Sequence, residues 1–235
     1  MVKHLESHLS GNQDFQLLMI VQGAGGTGKI VLIEEITTTF QNMGAQSLLT
    51  KTASSGVAAS LIQGMTLHSW AGIPRTITAR MKVTKKTQNK RLANISGKWY
   101  LIIDEHSMLM KDVLELLLGV LGNHCNNVDG VDATIPFGAL NVILLGDFHQ
   151  FPPAGNLKAV LYYAHSKTEW EQIGRHLYQQ FNVVVNLTEQ IRVTDHQWAE
   201  LLSQLREGEC MSEDLEEVDK LLDFGYLIIF RLLLI

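Results

Sequence analysis

The chain has 235 residues, 46% of them apolar and 18% charged, enough for one large α/β domain with a sizeable core or for one and a half smaller ones. Two cysteines, Cys125 and Cys210, are too few and too far apart for a disulfide framework or a zinc ribbon, and the nine histidines form no ligand-spaced pair, so a metal cage is excluded and a reducing, intracellular compartment is expected. The net charge of −5 does not suit a nucleic-acid binder, but eight of the 19 basic residues fall within 75–98 without a single acid.

In chain order, residues 1–11 mix charges and histidines and lack the apolar core of a secretory signal. Short apolar runs then alternate with longer amphipathic stretches. Strands are predicted at 17–21, 47–50, 100–103, 142–145 and 183–187, and helices at 29–41, 56–62, 109–121, 170–180 and 197–206. Most of the strand runs show no polar alternation, as strands buried on both faces of a mostly parallel sheet require, and the alternation predicts a doubly wound α/β domain. Two stretches read as irregular, the basic segment 75–98 and the Gly/Asn/Asp-rich 122–138. The basic segment has two readings, contact with a phosphate backbone or a solvated surface insertion. At the end, 226–235 is apolar except for Arg231, about half the ~20 residues a membrane-spanning helix needs, and reads as a buried strand.

Ligands of open parallel sheets sit beyond the carboxyl ends of the strands, so the residues following each strand carry the functional reading. After the first come Gly23, Ala24, Gly25, Gly26, Thr27, Gly28 and Lys29, a GxxxxGK phosphate loop between a strand and a helix. Its glycines let successive N–H groups converge on a phosphate, the helix amino end adds partial positive charge, and Lys29 reaches the terminal phosphates. Ile30 stands where a serine or threonine would ligate Mg2+, so weakened metal binding and slow hydrolysis are expected.

Asp104 and Glu105 follow the third strand: Asp104 as the carboxylate holding the metal's water shell, Glu105 as the base that orients the attacking water. Their bland alternative is an acidic pair favoured at a helix amino end. Gln150, beyond the fourth strand in GDFHQFPP, is placed to contact the γ-phosphate and the lytic water. Arg192, after the fifth strand, either supplies charge to the transferring phosphoryl group or is an exposed surface arginine. Thr52, Ser54 and Ser55 can donate to phosphates and Trp70 can stack on a base; a capped helix amino end with a core tryptophan explains the same residues.

The order of GAGGTGK, TASSGVAASLIQGMTLHSWAGI, LIIDEHSM, LLGDFHQFPP and LTEQIR, followed by a helix ending in LREG, resembles the PIF-type helicases of superfamily one, with RecD-like enzymes as more distant relatives. The likeness spans 17–208. It implies a RecA-like ATPase domain over 1–187, with 75–98 as a basic insertion, and 188–235 as the truncated start of a second helicase domain. It further implies ATP and Mg2+ as cofactors, and DNA unwinding in repair, recombination or telomere maintenance in the nucleus or mitochondrion. Single-stranded DNA would be the partner, contacted at Thr52, Ser55, Gly56, Thr66 and His68, with no membrane association and a monomer as the default. Departures from the family pattern are Ile30, His106 in the DExSM segment, no adenine-reading glutamine segment upstream, and no motifs of a second RecA-like domain. The competing expectation is a non-catalytic nucleotide or single-stranded-DNA-binding module.

Overall fold

The computed structural model describes residues 1–12, 15–74, 83–125, 135–153 and 157–209. Residues 75–82 of the basic segment and the apolar run 226–235 lie outside them. Among the described residues six strands form one sheet in the order β3-β2-β4-β5-β1-β6: β1 Leu18–Gly23, β2 Leu49–Ala53, β3 Met65–Thr66, β4 Tyr100–Asp104, β5 Asn141–Gly146 and β6 Val183–Leu187. All the pairings are parallel. Among the described residues eight α-helices accompany them: α1 Val2–Leu9, α2 Lys29–Asn42, α3 Gly56–Leu61, α4 Leu67–Ala71, α5 Lys85–Ile95, α6 Lys111–Cys125, α7 Glu169–Gln179 and α8 His196–Glu207.

The apolar runs build two cores because successive strand residues face opposite ways. Tyr100 and Ile102 of β4, with Ile143 and Leu145 of β5, pack under α1, α2 and α3, where Leu5, Ile33, Ile36 and Phe40 are buried. Leu101 and Ile103, with Val142 and Leu144, face Trp70, Leu114, Leu117, Leu121 and Leu177 from α4, α6 and α7. In α7, Gly174 sits against the backbone of Lys111, where a Cβ would collide with the Lys111 carbonyl, so glycine lets the two helices meet. The expectation of double burial fails at β6: it forms the sheet edge, and Val184 remains 54% exposed despite the apolar run.

The elements that the periodicity did not predict have physical reasons. α5 lies inside the segment read as irregular, yet it is a helix of 11 residues with Thr84 as its amino-terminal cap, the hydroxyl accepting from the Thr87 N–H at 3.2 Å. Its only buried residue is Ile95, and polar contacts hold it in place: Arg91 donates to the carbonyls of Ala71 and Gly72, and Asn94 to that of Trp70. Such a helix has no apolar stripe to read. β3, α4 and α1 are short, and of the stretch 122–138 the described part consists of the end of α6 and a 3-10 turn at Pro136–Ala139.

Candidate functional site

β1 ends at Gly23, and the loop to α2 turns twice through left-handed backbone, with φ of 88° at Gly26 and 87° at Gly28. Only glycine is at ease there. A Cβ on Gly28 would come within 3.0 Å of Ile191 Cδ1, and one on Gly26 within 2.8 Å of Arg192 Cβ, so these glycines also let the segment after β6 lie on the loop. That segment is tied down: the N–H groups of Ile191 and Arg192 donate to the Gly26 carbonyl at 2.9 and 3.2 Å, and Gln190 Nε2 donates to the Gly25 carbonyl at 2.9 Å. Thr27 is buried, with its hydroxyl on the Ala24 carbonyl.

Lys29 opens α2 and folds its ammonium back onto the loop, donating to the carbonyls of Gly23 at 2.7 Å and Ala24 at 3.1 Å. Burial lowers its pKa; Asp147 and Asp104 oppose that, while Arg192 and Arg206 reinforce it. Both carboxylates are thus close enough to act on this ammonium.

β4 delivers Asp104 and Glu105. The two strand ends, β1 and β4, are not neighbours, since β5 lies between them. The carboxylates nevertheless share one cavity of about 210 Å³ with the phosphate loop, lined among others by Gly26, Lys29, Ile30, Glu105, Gln150 and Arg192. Asp104 also lines it and is 6% exposed; burial pushes its carboxyl up to about 6, Glu105 adding to the rise while the Glu105 N–H and Lys29 oppose it. Glu105 adopts left-handed backbone, φ 54° and ψ 48°, and its carboxylate accepts from Ser55 Oγ at 2.8 Å. The acidic pair does not cap an α-helix, because a 3-10 turn at His106–Met108 follows it.

All four residues predicted to be catalytic, Lys29, Glu105, Gln150 and Arg192, therefore line the same cavity, as do Gly25, Gly26, Gly28 and Ile30 of the loop. The glycine cradle and its lysine fit a nucleotide's phosphates. The oxygens offered to a magnesium ion are fewer: Ile30 has none, and among the described residues no group of three or more His, Cys, Asp or Glu is placed to hold a metal.

The predicted DNA-contacting residues divide. β2 and β3 are adjacent with Ala53 opposite Thr66, which puts Ser55, Gly56, Thr66 and His68 together at the carboxyl-end rim of the sheet. Ser55 caps α3 and Thr66 caps α4. Thr52 is turned inward, fully buried with its hydroxyl donating to the Ile102 carbonyl at 2.8 Å, so its side chain does not face a ligand. Trp70 is a core residue, 2% exposed, which overturns base stacking in favour of packing.

The roles of several residues near the cavity escaped the sequence reading. Asp147, 3% exposed, is held by Arg206 of α8 through two bonds, Nη2 to Oδ1 at 2.7 Å and Nη1 to Oδ2. Burial raises its carboxyl, but Arg206, the His149 N–H and Lys29 together outweigh this and leave it below the usual range. Asp147 sits in a motif already singled out; Arg206 lies 59 residues away, and no local signal links the two. His106 is fully buried against Phe148, edge to face at 4.6 Å, and burial lowers its pKa to about 4, so it is neutral at pH 7. Gly146 makes room for it, since a Cβ there would meet His106 Nδ1 at 2.5 Å.

The family model described as PIF1-like helicase matches residues 7–216. Among curated proteins, the chain is 29% identical over 193 residues to the ATP-dependent DNA helicase RRM3 of Saccharomyces cerevisiae, covering 80% of this chain and 25% of that protein. It is 31% identical over 213 residues to the ATP-dependent DNA helicase PIF1 of Emericella nidulans, covering 86% of this chain and 26% of that one. Among solved structures, Pif1 helicase from Candida albicans superposes with a TM-score of 0.65 at 25% identity, covering 92% of this chain and 45% of that one. Bacteroides Pif1 in complex with ADP-AlF3 and ssDNA does so with a TM-score of 0.60 at 25% identity, covering 91% of this chain and 48% of that one. The fold is thus α/β and RecA-like, and the chain spans about a quarter of the length of these two curated relatives. No helix among the described residues is long and apolar enough to cross a membrane.

Proposed function

Because the chain belongs to the PIF1-like helicase family, we propose that it is the nucleotide-binding portion of an ATP-dependent DNA helicase, with hydrolysis impaired by Ile30. The observation that carries this is the single cavity uniting the phosphate loop with Glu105, Gln150 and Arg192, residues drawn from four separate strand ends. In this reading, the N–H groups of the Gly23-to-Gly28 loop cradle the phosphates, and Lys29 exchanges its loop carbonyls for the terminal phosphate oxygens. Glu105 accepts a proton from the attacking water, Gln150 orients that water, and Arg192 balances charge on the transferring phosphoryl group. Magnesium supplies positive charge to the phosphates when bound, its water shell held by Asp104. Single-stranded DNA lies along the rim formed by Ser55, Gly56, Thr66 and His68, and DNA repair, recombination or telomere maintenance in the nucleus or mitochondrion is the setting.

We place the ATPase domain at 1–187 and the start of a second domain at 188–235. The docking of Gln190, Ile191 and Arg206 onto the first site supports communication across that boundary.

Titration with a fluorescent ATP analogue, with and without Mg2+, tests the reading alongside phosphate release with and without oligo-dT. Micromolar nucleotide binding and slow, DNA-stimulated release that Ile30→Ser accelerates are expected. Absence of nucleotide binding under both conditions would sink it. Ile30 also favours a second reading, a non-catalytic nucleotide- and DNA-binding module; binding without hydrolysis in either form would establish that one instead.

A further inference from the structure

The segment proposed for DNA contact and the one proposed for water activation are joined by hydrogen bonds from Ser54 and Ser55, and of the two hydroxyls only that of Ser55 reaches the Glu105 carboxylate. β2 and β4 are adjacent and parallel with Ala53 opposite Asp104, so residues 54–55 and residue 105 leave the sheet side by side. The Ser54 N–H donates to the Asp104 carbonyl at 3.1 Å, and Ser54 Oγ donates to the Glu105 carbonyl at 2.8 Å. Ser55 Oγ donates to Glu105 Oε2 at 2.8 Å while accepting from the Ala58 N–H at 3.1 Å.

A serine hydroxyl carries one proton. In Ser55 that proton is committed to Glu105, so any phosphate oxygen that takes it removes it from the carboxylate. We propose that Ser55 is a positioning residue whose hydroxyl holds Glu105 in the absence of DNA and surrenders it when single-stranded DNA binds, freeing the carboxylate for water. The inference rests on the helicase reading of the site.

The local geometry suits an exchange confined to side chains. Left-handed backbone is costly for a residue with a Cβ, by roughly 1–2 kcal/mol, and at Glu105 the Ser54 bond to its carbonyl holds that turn. The carboxylate can therefore change partner while the strand end stays still. α3, which Ser55 caps, contributes Ala58 and Leu61 to the lining of the cavity that also contains Lys29 and Glu105, so the hydroxyl lies at the boundary between the rim and the nucleotide site.

Competition for one proton has a binding signature that needs neither nucleotide nor metal. Anisotropy of labelled oligo-dT is measured with the unaltered chain, Glu105→Ala, Ser55→Ala and the double variant. Removing the competing acceptor should tighten DNA binding about tenfold when Ser55 is present, the lower end for one hydrogen bond to a charged group, and less than twofold when it is absent. Ser55→Gly, which is well tolerated at a helix cap, must reproduce Ser55→Ala. Ser55→Thr, which keeps a hydroxyl, must restore the gain. An equal gain with and without Ser55 means that only charge was removed, and overturns the coupling while leaving DNA binding intact; no gain at all overturns it too. Failure of every form to bind oligo-dT overturns the functional reading, and the coupling with it, a result distinct from either.

Discussion

Two lysines, the half-buried Lys29 and the fully buried Lys111, show how the same side chain is used for opposite ends. Lys111, fully buried at the start of α6, donates to the carbonyls of Tyr163 at 3.3 Å and His165 at 2.7 Å and to the Ser166 hydroxyl at 3.3 Å, with Glu171 at 4.0 Å. An ammonium has three protons, and these neighbours take all of them. Lys29 has only the carbonyls of its own loop, with Asp104 and Asp147 acting on it from the side. Both lose basicity chiefly to burial. Lys111 is saturated by a loop it pins to α6 and α7, whereas Lys29 is held by acceptors that a phosphate can replace. Satisfaction of the donors, together with full burial, separates the structural cation from the one poised for a ligand.

The contrast breaks most visibly at Lys111. Lys111→Met should cost about 3 kcal/mol of stability, because the part-buried carbonyls it pairs and Glu171 lose their partner, while nucleotide affinity in the folded fraction stays within about twofold; urea unfolding and analogue titration measure the two. A large loss of nucleotide affinity would erase the distinction. Lys29→Ala should do the reverse, weakening nucleotide binding on the order of 50-fold through lost charge-assisted bonds to phosphate, with little change in the urea midpoint.

Asp104 sharpens the comparison through pH. Its carboxyl titrates at about 6 in the fold against 3.8 ordinarily, so the native state binds the extra proton and stability falls as pH rises from about 4 to about 6. Asp104→Asn should therefore stabilise the chain by about 3 kcal/mol at pH 8, with the gain vanishing as pH drops towards 4. Thermal unfolding across that range checks it, and a gain that grows at low pH contradicts the assignment. The smallest effect is expected for Ile30→Ser, which should improve Mg2+-dependent nucleotide binding by roughly fivefold, about 1 kcal/mol for one added oxygen ligand offset by lost apolar contact, and leave metal-free binding unchanged.

β4 and β5 were legible because burial on both faces demands continuous apolar runs, and the phosphate loop because left-handed turns at Gly26 and Gly28 demand glycine. α5 was illegible for the complementary reason: it is anchored by Arg91 and Asn94 reaching backbone carbonyls, which leaves no periodic pattern. Trp70 and Thr52 were ambiguous because their residue types serve packing and ligand contact equally well, and only burial separates the uses. Arg206 with Asp147, and Ser55 with Glu105, belong to a further class, contacts between chemically ordinary residues 59 and 50 positions apart.

By itself, then, the order of residues determined the alternation of strands and helices, the nucleotide cradle, the acidic strand end and the missing metal oxygen at Ile30, since each follows from short-range constraints on backbone and side-chain type. The sheet order decided the rest. By inserting β5 between β1 and β4 it set the span of the cavity, and by placing β2 beside β4 it brought the Ser55 hydroxyl to the Glu105 carboxylate. Strand neighbours are chosen by the packing of two cores on one sheet, a long-range outcome that no local run of residues encodes.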